Sequence, residues 1–323
     1  METVRTETRG ATKSKPTSVK ESYWRRLAKD LKRNKNIYIM VLPVVIYYLV
    51  FHYGPMYGLQ IAFKNFNTSE GIWASEWIGF DHFVEFFNSF YFWRLIKNTF
   101  LINFYELIFA FPAPIILALL LNEIRKMWFK RAVQTISYLP HFISVVVVVG
   151  MLVDFTARDG LINELLVGFG LEPISFLQEA DWFRAVYIGS GIWQGIGWGS
   201  IIYLAAMSNI NPALYEAARI DGAGRLKQAL HITIPGIAPI IIILFILQMG
   251  SMLSVGFEKI ILMYNPITYE TADVISTYVY RKGILEASFS FSAAVGLFNA
   301  VINFSLLILA NRISRRTSET SLW

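Results

Sequence analysis

Six stretches of this chain are long and apolar enough to cross a hydrocarbon layer, and that leaves few folds open to it. They run approximately over Ile37 to Phe63, Leu95 to Leu121, Val133 to Phe155, Phe183 to Ser208, Ile232 to Val255 and Phe289 to Ala310. A bilayer core of about 30 Å needs about 20 residues at a helical rise of about 1.5 Å each. Backbone groups facing lipid must pair within their own segment, so each stretch is expected to be a helix. Of the 323 residues, 55% are hydrophobic and only 16% charged. The absence of cysteine excludes disulfides, thiol nucleophiles and cysteine metal sites. The first stretch follows a polar tail with no small-residue cleavage site, and it reads as an uncleaved span. The expected fold is all-α and polytopic, with a tail over 1–36, six transmembrane helices over 37–310 and a second tail over 311–323.

Charge assigns the two sides. Arg25, Arg26, Lys29, Lys32, Arg33 and Lys35 precede the first stretch, and Arg125, Lys126, Lys130 and Arg131 join the second to the third. Arg219, Arg225 and Lys227 lie between the fourth and fifth, and Arg312, Arg315 and Arg316 follow the sixth. The opposite loops hold only Lys64, Arg94, Arg158, Lys259, Arg281 and Lys282. The positive-inside rule therefore places both termini and the 211–235 loop in the cytoplasm. Residues 20–35, KESYWRRLAKDLKRNK, have the composition of a basic amphipathic helix lying on the inner leaflet. The basic excess thus follows membrane topology and does not imply nucleic acid.

One polar segment, NPALYEAARIDGAGRLKQALHITIPGIAP over 211–239, sits between two apolar runs. Asn211 followed by Pro212 is a helix start, with the amide capping and proline in the first turn where no N–H is needed. Asp221-Gly222 supplies a turn, and Leu226 to Ile232 resumes helical spacing until Pro235 opens the next span. Two short helices at an angle are expected. Ala217 and Ala218 keep one face small enough for close approach, and Glu216 gives it a charge able to meet a basic or amide partner.

In register, these residues read Glu216-Ala217-Ala218, three residues, Gly222, nine residues, Ile232, one residue, then Ile234-Pro235. This resembles the EAA loop of permease subunits from binding-protein-dependent ABC importers, with Ile234 in place of the usual leucine. LPVVIYYLVFHYGPMYGLQIAFKNF in the first span and LPHFIS in the third look like the sugar-importing branch, especially permeases for alginate or pectin fragments. The resemblance implies the type I ABC importer permease fold in a bacterial cytoplasmic membrane. It also implies a second permease subunit, two ATP-binding subunits, an extracytoplasmic solute-binding protein and an oligosaccharide cargo. Glu216, Ala217, Ala218, Asp221 and Gly222 would then couple ATPase motion to the helices. In the resembling permeases the helices flanking this loop contribute substrate contacts, which points to Gln194, Gly195 and Trp198 before it and Gln248 and Ser251 after it. Gln194 and Trp198 share a helix face, and an indole with an amide suits a sugar ring and its hydroxyls. Packing of Trp198 against a neighbouring helix, with Gln194 bonding across helices, is the competing reading.

Other chemistry finds little support. No phosphate-loop pattern occurs, so ATP must be hydrolysed by a partner. GIWQGIGWGS lies inside a span, where Gly191, Gly195 and Gly199 suggest close helix packing instead. His52, His82, His141 and His231 lack ligand spacing, and neither a catalytic set nor a cofactor or metal site is expected. Glu106, near Asn103, is the one acid well inside a span, open to a structural role or a proton relay. Asn299 and Asn303 share a helix face and could bond to a neighbour or line a pore. The rivals are an ABC permease for a non-sugar solute, a secondary transporter or channel driven by an ion gradient, and a membrane enzyme. If the sidedness is right, cysteines placed at Ser69 and Thr268 react with an impermeant maleimide from outside intact cells and one at Gln228 does not; reversed labelling overturns the topology.

Overall fold

The computed structural model describes residues 23–317 and 320–322, so the tail before Tyr23, with the first three residues of the basic segment, lies outside the described residues. Two compact units divide at Gly58 and Leu59. In the first, the basic helix expected from the sequence is present over Tyr23–Arg33, with Lys32 and Arg33 in its last turn, where cations favour the helix dipole. Asn34 breaks it from the next helix, and the Asn34 side chain donates to Asp30 Oδ1 at 2.7 Å.

Among the described residues, four helical segments are long and apolar enough to span a membrane: Lys35–Phe63, Phe92–Glu123, Arg225–Gly250 and Phe289–Arg316. The final helix continues past the expected end at Ala310, to Thr317. The third expected span is not one rod. Its two halves, Met127–Phe142 and Val145–Gly168, meet at 102°. Leu139–Phe142 tightens to a 3₁₀ turn around Pro140, Ile143 is extended, and Ser144 starts a new helix by accepting from the Val147 N–H at 3.4 Å. The fourth expected span, the 28-residue helix Ala180–Met207, is long enough but carries Asp181, Arg184 and several glycines, which lower its hydropathy. Length and apolarity alone therefore give four spans, or five with the bent pair.

Three of the long helices pass proline through one device. The 106–110, 229–233 and 49–53 turns are π-type, and each ends with an i→i−5 bond from the residue just before a proline: Phe111 to Glu106, Ile234 to Ala229 and Gly54 to Leu49. A proline lacks the N–H an α-turn needs and crowds the carbonyl four residues back; the wider turn absorbs both faults without ending the helix. The short helix over Arg225–Gln228 is consequently continuous with Ile234–Gly250. The two separate short helices expected around Gly222 are thus one short helix and the start of a span.

Within the second unit the Ala180–Met207 helix is the hub. Phe183, Tyr187 and Ile188 pack with Ile102, Val149 and Ile260 near one end, and Tyr203 and Met207 pack with Ala118 and Ile237 near the other. The expected glycine stripe is not a single helix contact. A Cβ on Gly199 would lie 2.9 Å from Pro114 Cγ, one on Gly195 would meet nothing, and one on Gly191 would lie 3.6 Å from Lys259 Nζ. The closest approach falls off the stripe, at Gly197, where a Cβ would lie 2.0 Å from the Ser137 carbonyl oxygen.

At the end of the bundle away from Gly222, Asp273 is fully buried between two guanidinium groups, Arg281 at 2.7 Å and Arg94 at 3.0 Å, and accepts a third bond from Thr277 Oγ1 at 2.9 Å. Asn98 donates to the Asp273 and Glu270 carbonyls and accepts from Arg184 at 2.8 Å. Burial works against the Arg281 charge, but Asp273 and the Tyr264 hydroxyl more than offset it and hold its pKa above the ordinary value. This network clamps residues 264–281 to the Phe92–Glu123 helix. Thr268, expected to label, is wholly buried beneath it, so Ile267, 69% exposed, is the position to use. Asp273→Asn leaves two cations facing each other without a counter-ion and is expected to destabilise the unit by about 3–5 kcal/mol; a melting curve of the detergent-purified variant that overlays the native one would refute the clamp.

Candidate coupling segment and translocation cavity

The 211–223 segment is built from its caps. Asn211 Oδ1 accepts from the Ala213 N–H at 3.0 Å, Pro212 occupies the first turn, and the helix runs over Pro212–Ile220. At its other end Gly222 has φ +75°, the Ala223 N–H bonds back to the Ala218 carbonyl at 2.8 Å, and the Gly222 N–H to the Arg219 carbonyl at 3.1 Å. That pairing is a Schellman cap, and it needs a left-handed residue where Gly222 stands. Glu216, Ala217, Asp221 and Gly222 are exposed and Ala218 is half-buried. Exposed Leu214, Ile220 and Leu226 add an apolar rim, Ile220 at 87%.

One contact ties this helix to the bundle, and a second joins the two long helices beside it. Tyr215 and Thr233 hydroxyls bond at 3.0 Å, and Thr233 lies in the π-turn leading into the next span. Arg225 Nε lies 3.4 Å from Glu123 Oε2 at the end of the Phe92–Glu123 helix. Between them opens a polar crevice of about 490 Å³ whose walls include Glu123, Arg125, Glu216, Arg219 and Arg225. Glu216 thus stands on a helix whose tie, through Tyr215, reaches the π-turn at the start of the Arg225–Gly250 helix.

Deeper in the unit a cavity of about 570 Å³ is walled by three helices: Glu106, Ala110, Phe111 and Pro114 on the first, Ile188, Gly191, Gly199, Ile202 and Tyr203 on the second, and Leu244, Leu247, Gln248 and Ser251 at the third. Glu106 opens the π-turn of its helix, so the wider turn that accommodates Pro112 also sets where that carboxylate stands on the wall. Gln248 and Ser251, expected on the substrate path, are both on this wall. Gln194 and Trp198 are not. Gln194 donates to the Ile143 carbonyl at 3.1 Å, capping the break between the bent helices, and Trp198 stacks on His141 at 4.6 Å and 3°. Gly195 lies between, with open space at its Cα. Asn303 is structural: its Oδ1 accepts from the Leu253 N–H at 2.7 Å, and its Nδ2 donates to Ser254 Oγ at 3.0 Å.

Residues 110–319 match the family model of the binding-protein-dependent transport system inner membrane component. The chain belongs to this permease family. Protein LplB of Bacillus subtilis (strain 168) is 46% identical over 91% of this chain and 92% of its own length. The polygalacturonan/rhamnogalacturonan transport system permease protein YteP of the same organism is 46% identical over 93% and 94%. Among solved structures, a bacterial alginate ABC transporter in complex with an alginate pentasaccharide-bound periplasmic protein contains a chain 48% identical to this one, with a TM-score of 0.86 over 92% of this permease and all of that chain. The permease is accordingly an ABC transport component of the inner membrane and not an enzyme.

Sequence reasoning on the permease missed Lys259. It counted as a loop cation, yet it is 8% exposed, its Nζ donates to the Tyr187 carbonyl at 2.9 Å, and burial pulls its pKa down to about 8 against the opposing pull of Glu106. The legible signal was a lysine directly before the apolar run Ile260-Ile261-Leu262-Met263. The cap geometry makes its own prediction. Gly222→Pro removes both the positive φ and the N–H to Arg219, so the helix end should open by about 1–2 kcal/mol and trypsin should cut at Arg219 and Arg225 about tenfold faster; native cleavage rates would mean the cap is dispensable.

Proposed function

We propose that this permease carries oligosaccharides into a bacterial cell, as one of two membrane subunits worked by two cytoplasmic ATP-binding subunits and supplied by an extracytoplasmic solute-binding protein. The observation that carries the reading is identity of 46–49% over nine-tenths of the chain to components of transporters named for polygalacturonan, rhamnogalacturonan and alginate. Those are acidic polysaccharides, so the cargo class is an oligosaccharide of uronate units. In this reading the chain crosses the membrane six times, the bent pair 127–168 and the Ala180–Met207 helix being the third and fourth crossings, with both termini and the Gly222 segment in the cytoplasm.

Glu216, Ala217, Ala218, Asp221 and Gly222 receive the motion of the ATPase. The exposure of Glu216, Ala217, Asp221 and Gly222, the apolar rim of Leu214, Ile220 and Leu226, and the Tyr215–Thr233 tie to a long helix support this. The cargo passes along the cavity wall that holds Gln248 and Ser251, while Gln194 and Trp198 act by holding the bent helices in place. The mixture of apolar walls with few polar groups is what a sugar path requires.

The test is ATP-dependent uptake of a labelled uronate oligosaccharide by proteoliposomes holding the assembled complex. Gln248→Ala is expected to lower uptake per assembled complex about fivefold to tenfold, the loss of one cargo hydrogen bond. Gln194→Ala instead lowers the yield of complex and leaves uptake per complex near native. Equal effects of the two variants would refute the division of roles, and uptake driven by an ion gradient without ATP would refute the reading as a whole.

A further inference from the structure

Beside Gly191 on the wall of the 570 Å³ cavity sits a buried cation without an ion-pair partner among the described residues. Lys259, on the short helix Phe257–Met263, is 8% exposed, yet no carboxylate oxygen stands within 4.0 Å of its Nζ among the described residues. The Tyr187 carbonyl takes one of its three donors at 2.9 Å, and the Tyr187 ring lies 4.9 Å away at its centroid. A buried ammonium held by one carbonyl and a ring is under-satisfied, and such groups gather at binding sites. The arginines are less buried than Lys259: Arg94 and Arg281 grip Asp273, and Arg184 donates to the neutral Asn98.

What separates Lys259 from the cavity is Gly191, and it leaves a gap. Gly191 lines the cavity, and a Cβ built there would stand 3.6 Å from Nζ. A side chain there would lie against the ammonium, whereas glycine leaves only backbone beside it. Glu106 shares the cavity wall and lies within electrostatic reach of Lys259 without pairing to it. The apolar walls of Ile188, Leu244 and Leu247 lower the local dielectric, so a second anion arriving at the gap would meet the ammonium with little screening.

We propose that Lys259, reached through the gap at Gly191, forms a subsite for a carboxylate on the passing cargo and makes this cavity favour acidic over neutral sugar units. Glu106 competes for the same charge and keeps the hold weak enough for release, as transit requires. The inference rests on the oligosaccharide reading above and adds to it the residue that senses acidity.

The experiment measures uptake by the reconstituted complex of a galacturonate trisaccharide and of its methyl ester, in which each carboxylate becomes a neutral ester. Lys259→Gln is expected to lower the acid-to-ester uptake ratio about tenfold or more, the worth of one charge-assisted hydrogen bond. Lys259→Arg keeps the charge and restores most of the ratio. Where only the acid is carried, its uptake per assembled complex is the readout, with the same expectation. Gly191→Ala leaves Lys259 in place and partly screens it, so a several-fold fall is expected there even if Lys259→Gln does not assemble. A ratio unchanged in the variants, or acid and ester falling together in Lys259→Gln with no rescue by arginine, overturns the subsite. Native complex that carries the ester in preference to the acid overturns it too. Native complex that carries neither sugar refutes the oligosaccharide reading itself, and the subsite with it.

Discussion

The contact on which the second unit depends is the one between Gly197 and the Ser137 carbonyl. A side chain at that position would overlap the backbone of the bent helix by more than an ångström, so only glycine lets the Ala180–Met207 helix lie against it. Close backbone approach is how helices associate where lipid gives no hydrophobic reward for burial. Gly199 meets Pro114 on another face in the same way, so one helix is held from two directions. Gln194 then reaches the Ile143 carbonyl exposed by the break, and Trp198 lies flat on His141. The bend at residues 143–144 is stable because its loose carbonyl has a donor inside the protein, which is the condition for irregular backbone at membrane depth.

Proline and charge are treated by the same logic. Three prolines inside long helices are preceded by π-turns, one of which carries Glu106 on the cavity wall and another Thr233, bonded to Tyr215 of the Pro212–Ile220 helix. A widened turn costs little when neighbouring helices pack around it, and it moves the following face of the helix by a fraction of a turn. The charges are divided by function. Asp273 satisfies two arginines and fixes the loop at one end, whereas Glu106 and Lys259 stand near each other unpaired beside the cavity. One arrangement makes rigidity and the other leaves electrostatic capacity for something that is not part of the chain.

The membrane class, the position of the Pro212–Ile220 helix and both of its caps were legible in the amino-acid order. Apolar length is a local property, and so are the Asn211-Pro212 start and the left-handed demand at Gly222, each set by residues within one turn. Family likeness was legible for the same reason, because Glu216, Gly222 and Pro235 keep their spacing in the chain itself. The bend within 127–168 was half legible: Pro140 and Ser144 mark it, but the surrounding valines read as an unbroken span when only hydropathy is summed. Likewise the π-turns leave no pattern beyond the prolines that follow them.

What only the tertiary structure decided is which face of each helix meets which neighbour. Gln194, Trp198, Gln248 and Ser251 had equal claims on the cavity by residue type, and the rotation of the Ala180–Met207 helix, fixed by Gly197 and Gly199, gave the first two to the bent helices and left the cavity to the others. Lys259 and Asp273 carry opposite charges in neighbouring loop segments, and nothing in their sequence surroundings says that one is neutralised and the other is not. Pairing depends on partners far away in the chain, Arg94 for Asp273 and the Tyr187 carbonyl for Lys259. Sequence alone therefore settled the solvent this protein folds in and where its helices cap, because those depend on neighbours along the chain; the cavity and its charges were settled by packing, because they depend on neighbours in space.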